Sequence, residues 1–107
     1  MRYPAIVLIL GLSLASSLSA QESNARLLGT ITDPSGAVIP GTNVTARNLA
    51  TGLERKTVSN ATGDYSIPGL VIGQYTVTAD SSGFKTSTIT GLTLQVNQEA
   101  RVNITLT

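Results

Sequence analysis

Residues that reverse a chain recur in this sequence at intervals of about eight to twelve positions, which limits it to short strands. Asp33-Pro-Ser-Gly36, Pro40-Gly41, Thr51-Gly52, Asn60-Ala-Thr-Gly63, Ser82-Gly83 and Asn97-Gln98 each interrupt the chain before a helical apolar period can build up. Between them apolar and polar residues alternate, the pattern of a strand with one buried face. Threonine, valine and isoleucine fill these runs, as β-structure prefers. The densest stretch, Thr62–Phe84, reads as turn, strand, tight turn, strand and turn. Tyr65 and Ile67 share one face of its first strand; Tyr75, Val77 and Ala79 share one face of its second. We expect a β-hairpin here, covered by the rest of the chain because a lone hairpin is not stable in water.

The remaining strands follow in order. Arg26–Thr32 places Leu27, Gly29 and Ile31 on one face, and Asp33-Pro-Ser-Gly36 turns the chain. Ala37–Ile39 is a short extended piece, stopped by Pro40. Thr42–Asn48 turns Val44 and Ala46 inward. Leu53–Ser59 carries Glu54, Arg55 and Lys56, as an exposed edge strand would to discourage further pairing. Lys85–Thr90 and Leu92–Val96 precede a final strand, Ala100–Thr107, in which Val102, Ile104 and Leu106 alternate. This pattern predicts an all-β fold, a seven-stranded β-sandwich. Its core is expected to include Tyr65, Ile67, Tyr75, Val77, Val102 and Ile104, with Phe84 closing one end.

The N-terminus has a different composition. Arg2 is followed by the uninterrupted apolar run Ala5–Ala15 and by the small residues Ser16-Ser-Leu-Ser-Ala20. That is the layout of a secretory signal peptide over residues 1–20, cut after Ser19 or Ala20. The run is shorter than the ~20 residues that a membrane span prefers. A polar lead-in, residues 21–25, then joins one domain over residues 26–107. Beyond the leader, six basic residues balance six acidic ones and no charged run exists, so the chain lacks the basic patch that nucleic acid requires. There is no cysteine, so neither a disulfide nor a lipoprotein anchor is available and the core must stabilise the exported domain alone.

Six segments resemble the carboxypeptidase regulatory-like domain family, in that family's order. They are Gly29–Val44, Asn48–Gly52, Thr62–Tyr65, Ile67–Leu70, Gly73–Tyr75 and Gly83–Phe84, and they span Arg26–Thr107. The resemblance implies a Greek-key, transthyretin-like (prealbumin-like) sandwich, related to Cna-B-type and carbohydrate-binding-like modules. The wording is similar to the N-terminal extension of outer-membrane, TonB-dependent-receptor-like proteins, where a plug and barrel follow. The similarity here ends with the last strand, so no transport function is carried over. The chain is expected to be a standalone module or the first part of a longer receptor.

Chemistry is poorly supplied. With no histidine or cysteine, His-based triads, thiol nucleophiles and His/Cys metal sites are excluded, and Lys56 and Lys85 stand outside any catalytic motif. Cna-B-like sandwiches can close a Lys–Asn crosslink between first and last strands. Asn103 is in place, but the first strand offers Arg26, which stays charged and cannot act as the amine. Asp33, Asp64 and Asp80 fall in three turns that gather at one end if strand direction alternates, making them calcium candidates against the simpler reading that each bonds its own turn. Asn43-Val-Thr45, Asn60-Ala-Thr62 and Asn103-Ile-Thr105 match the N-glycosylation pattern, which the bacterial resemblance discounts. The expectation is an exported, non-catalytic, cofactor-free accessory module for folding, spacing or protein interaction, located in the periplasm, at the outer membrane or outside the cell. Its contact surface is expected on the threonine-rich faces and on Leu53–Ser59, its partner is an envelope protein or glycan, and it meets the membrane only through the leader before cleavage. The alternative is a carbohydrate-binding module.

Overall fold

The computed structural model describes residues 24–107. The expected leader, residues 1–20, and residues 21–23 of the lead-in lie outside the described residues. The described chain forms eight strand segments and no helix. They are β1 (Asn24–Thr32), β2 (Asn43–Asn48), β3 (Glu54–Val58), β4 (Asp64–Val71), β5 (Gly73–Asp80), β6 (Ser87–Leu94), β7 (Glu99–Arg101) and β8 (Ile104–Thr105). One sheet runs β4-β1-β7, with β8 also on β1; the other runs β3-β2-β5-β6. Their inner faces pack into a single core of alternating residues.

The expected hairpin over Thr62–Phe84 does not form. β4 pairs with β1, setting Tyr65 opposite Gly29 and Ile67 opposite Leu27, whereas β5 pairs with β2 and β6 in the other sheet. The chain crosses between sheets at Ile72-Gly73, where Gly73 has φ 140°. The crossing brings the Tyr65/Ile67 face and the Tyr75/Val77/Ala79 face onto the core from opposite sides. A hairpin would have laid both on one side and left them to be covered by something else.

Pro68-Gly69, which falls within the expected hairpin, is a bulge inside β4: both residues stand against Arg26 alone. A bulge tolerates the missing N–H of proline, and Gly69 takes the left-handed conformation (φ 68°). The two segments expected around Gly91 likewise join into one strand, β6, with Thr90 and Gly91 opposing Thr76. The last strand is broken instead. β7 and β8 both run parallel to β1, and Val102-Asn103 leaves the ladder between them. There the Val102 N–H donates to Leu28 O (2.8 Å), and Asn103 Oδ1 accepts from the Thr30 N–H (3.0 Å).

Leu27, Ile31, Val44, Ile67, Leu70, Val77, Leu94 and Leu106 are fully buried, and Tyr65, Tyr75 and Ile104 nearly so. Burying a side chain of this size stabilises by about 1.5–3 kcal/mol. Phe84 and Val102 pack against this core but stay partly exposed, because one lies in a loop and the other in the strand break. The strand directions define two poles. The β1 start, the β2–β3 turn, the β4–β5 crossing and the β6–β7 turn share one, and the loops holding Asp33, Asn60 and Ser82 share the other.

Candidate functional site

The three candidate calcium carboxylates do lie at one pole, but they do not come together. Among the described residues, no group of three or more acidic side chains is placed to hold a metal ion. Asp33 is occupied within its own loop: its Oδ1 accepts from the Ser35 N–H (2.9 Å), the Ser35 hydroxyl (2.6 Å) and the Ala37 N–H (3.0 Å). The Ser35 hydroxyl, followed by these backbone donors, holds the carboxyl below its ordinary range. Asp64 accepts from the hydroxyls of Thr30 (2.6 Å) and Thr62 (2.9 Å), which lower its pKa in the same way.

Asn60 repeats the Asp33 loop. Its Oδ1 accepts from the Thr62 N–H, the Thr62 hydroxyl and the Asp64 N–H, and Gly63 occupies the left-handed position that Gly36 fills in the other loop. Asn48 caps the β2–β3 turn through Ala50 and Thr51. The asparagines that match glycosylation patterns are therefore partly consumed by structure: Asn60 holds its loop and Asn103 holds β1.

Both tyrosines point into the core and spend their hydroxyls on backbone carbonyls. Tyr65 donates to Val102 O (2.6 Å) and Tyr75 to Val71 O (2.7 Å). Burial pushes the Tyr65 phenol up to about 12, against a smaller opposing pull from Arg101. Neither ring is presented as a platform for a sugar. On the outer face of the β3-β2-β5-β6 sheet, Thr45 stands opposite Thr78, and Thr78 opposite Thr88. A shallow polar groove of about 340 Å³ runs along this face between Lys56, Asn43 and Asp80.

The charged strand β3 is an edge strand, as its composition implied, but its charges are not equivalent. Arg47 pairs with Glu54 (3.6 Å) on the outer face. Arg55 stands opposite the inward-facing Ala46, so its side chain turns toward the other sheet. There its guanidinium donates to Gly69 O and Pro68 O, both at 3.2 Å. Arg55 thus ties β3 to the β4 bulge across the open side of the sandwich.

Beside this tie lies a cleft of about 100 Å³, lined by Leu53, Leu70, Val71 and Tyr75, with Asn48, Thr51 and Gly69 around them and Arg55 as its one charged lining residue. Leu49, Leu53, Val71, Ile72 and Val96 are all exposed at the same pole, and the turns carrying them contain no charged residue. Alternation could not reveal this cluster, because its members come from three turns far apart in sequence. The one available signal was the inward parity of Arg55. A buried polar knot was also missed: the Ser59 hydroxyl accepts from the Thr42 N–H and donates to Ile39 O, both at 2.8 Å.

Comparison with known proteins bears on this fold directly. The carboxypeptidase regulatory-like domain matches residues 26–107. The chain belongs to that family. It is also 32% identical over 111 residues to the TonB-dependent transporter Oar of Myxococcus xanthus, covering 99% of this chain and 10% of that protein. Among solved structures, a putative carbohydrate binding protein from Bacteroides uniformis matches with TM-score 0.63 at 16% identity, over 77% of this chain and 40% of its own. Catechol 1,2 dioxygenase of Acinetobacter radioresistens matches with TM-score 0.65 at 11% identity, over 84% of this chain and 53% of its own. At such identities these structures share the fold with this regulatory-like domain, and the fold does not carry their chemistry.

Proposed function

We propose that this carboxypeptidase regulatory-like domain is an exported, non-catalytic accessory module of the cell envelope, serving folding, spacing or protein interaction in a TonB-dependent-receptor-like protein. One observation carries the reading: the segment aligned with the Myxococcus transporter takes in the whole described sandwich, yet amounts to a tenth of that protein. The reading takes β7 and β8 as one interrupted strand, giving the seven-stranded Greek-key arrangement of transthyretin-like sandwiches. Its support on the chemical side is that Asp33 and Asp64 hold their loops and that Tyr65 and Tyr75 serve the core.

The test is expression of the full chain with a C-terminal tag in a Gram-negative host, followed by fractionation and mass measurement. The expected product is in the envelope or periplasm and lighter by residues 1–19 or 1–20. A full-length product confined to the cytosol refutes export. A carbohydrate-binding role is favoured by the likeness to the Bacteroides carbohydrate binding protein and disfavoured by the buried tyrosines. Glycan-array binding that disappears in Phe84→Ala, with folding intact, would establish it.

A further inference from the structure

The cleft between β3 and β4 combines two properties that seldom meet by accident. Its walls are aliphatic and aromatic, and its one charged lining residue is Arg55. The guanidinium has five N–H donors, of which Pro68 O and Gly69 O each take one, so it keeps donors for a further acceptor. The volume, about 100 Å³, is below the roughly 300 Å³ at which small-molecule sites begin. It suits one branched aliphatic group, since an apolar cavity of about 150 Å³ accepts benzene. Leu49 and Ile72, outside the cleft's lining but exposed at the same pole, add apolar surface to that of the exposed wall residues Leu53 and Val71. The nearest acid on β3, Glu54, is engaged by Arg47 on the outer face.

We infer that this cleft is a socket for a protein segment carrying an aliphatic side chain next to an acidic one: the aliphatic group enters between Leu53, Leu70, Val71 and Tyr75, and the carboxylate meets Arg55. Charge complementarity selects this occupant. A basic segment would bring its cation against the guanidinium, and a wholly apolar one would leave that charge without an added partner. The inference rests on the reading of the domain as an interaction module and names the chemistry of its partner.

The experiment is an NMR titration of the isotope-labelled full chain with three dipeptide probes: acetyl-Leu-Glu-amide, acetyl-Leu-Lys-amide and acetyl-Ala-Glu-amide. The Leu-Glu probe should shift the Leu53, Leu70 and Val71 signals saturably, with a Kd on the order of millimolar. The Leu-Lys probe should bind about fivefold more weakly, the size of an exposed charge effect. The Ala-Glu probe should not saturate. Arg55→Gln should erase the preference for Glu over Lys. Leu53→Glu, at a position 67% exposed and so without consequence for folding, should weaken the Leu-Glu probe most. Equal shifts from the Leu-Glu and Leu-Lys probes, or no saturable shift at the cleft, overturn the socket. Such a failure leaves the fractionation result untouched, so the two readings fall separately.

Discussion

Gly29 offers the sharpest test of how β1 sits against β4 and the β7–β8 break within its own sheet. Its backbone is ordinary strand, so alanine there meets no conformational penalty and any cost is one of space. A Cβ at this position would overlap Val102 O, come within 2.7 Å of Val102 C and touch Tyr65 Cε1 at 3.0 Å. Two of these atoms are backbone and cannot rotate away. The Val102 carbonyl is also the acceptor for the Tyr65 hydroxyl, so moving it breaks that hydrogen bond as well. Overpacking of this kind costs about 1–3 kcal/mol, and a lost buried hydrogen bond adds about 1 kcal/mol. The expected destabilisation by Gly29→Ala is therefore about 2–4 kcal/mol, a fall in Tm of roughly 10–25 °C for a domain of this size. Thermal and urea unfolding, followed by circular dichroism, measures it. Tyr65→Phe supplies the control: because both changes act through one carbonyl, the double variant should lose less than the sum of the single losses. A Tm within about 3 °C of the parent for Gly29→Ala would refute the close approach of β1 to the β7–β8 break.

Three further expectations follow from the same geometry. Ser59→Ala strands the buried Thr42 N–H and should cost about 1–3 kcal/mol, more than Thr42→Val, which removes only a 3.2 Å bond to Ile39 O; urea unfolding compares them. Asp33 and Asp64 have pKa values lowered by folding, so the stability they confer is present above the unfolded carboxyl pKa and is lost as pH falls through the folded one. Asp33→Asn should keep its loop at neutral pH, because Asn60 holds the same loop with an amide, and should flatten the acid side of a Tm–pH curve; a loss at pH 7 as large as that of Asp33→Ala would contradict this. The Tyr65 pKa is raised by folding to about 12, so its contribution is intact below the unfolded phenol value near 10 and disappears as pH rises toward 12. Alkaline unfolding curves should show that decline, and Tyr65→Phe should remove it.

Much of the local structure was legible because its causes are local. Asp33-Pro-Ser-Gly36 and Asn60-Ala-Thr-Gly63 announce turns through side chains that bond their own backbone and glycines that take positive φ, and both loops have that form. Alternation put Tyr65, Ile67, Tyr75 and Val77 on inward faces, and the structure buries all four. The same period carried Val102 to the core side as well; it packs against the core but stays partly exposed, because Val102-Asn103 leaves the ladder while the inward parity of Ala100, Val102, Ile104 and Leu106 continues through the break.

What the sequence by itself determined, then, is where the chain turns and which side of each strand seeks the core. It did not determine which strand lies beside which, because a period of two is the same whether the neighbour is the next strand or one forty residues away. Only the tertiary structure sent β4 and β5 to opposite sheets, made Pro68-Gly69 a bulge, required a glycine at position 29 and tied Arg55 to the bulge carbonyls beside the cleft. Each of those outcomes depends on groups distant in sequence competing for the same space, and no local pattern records that competition.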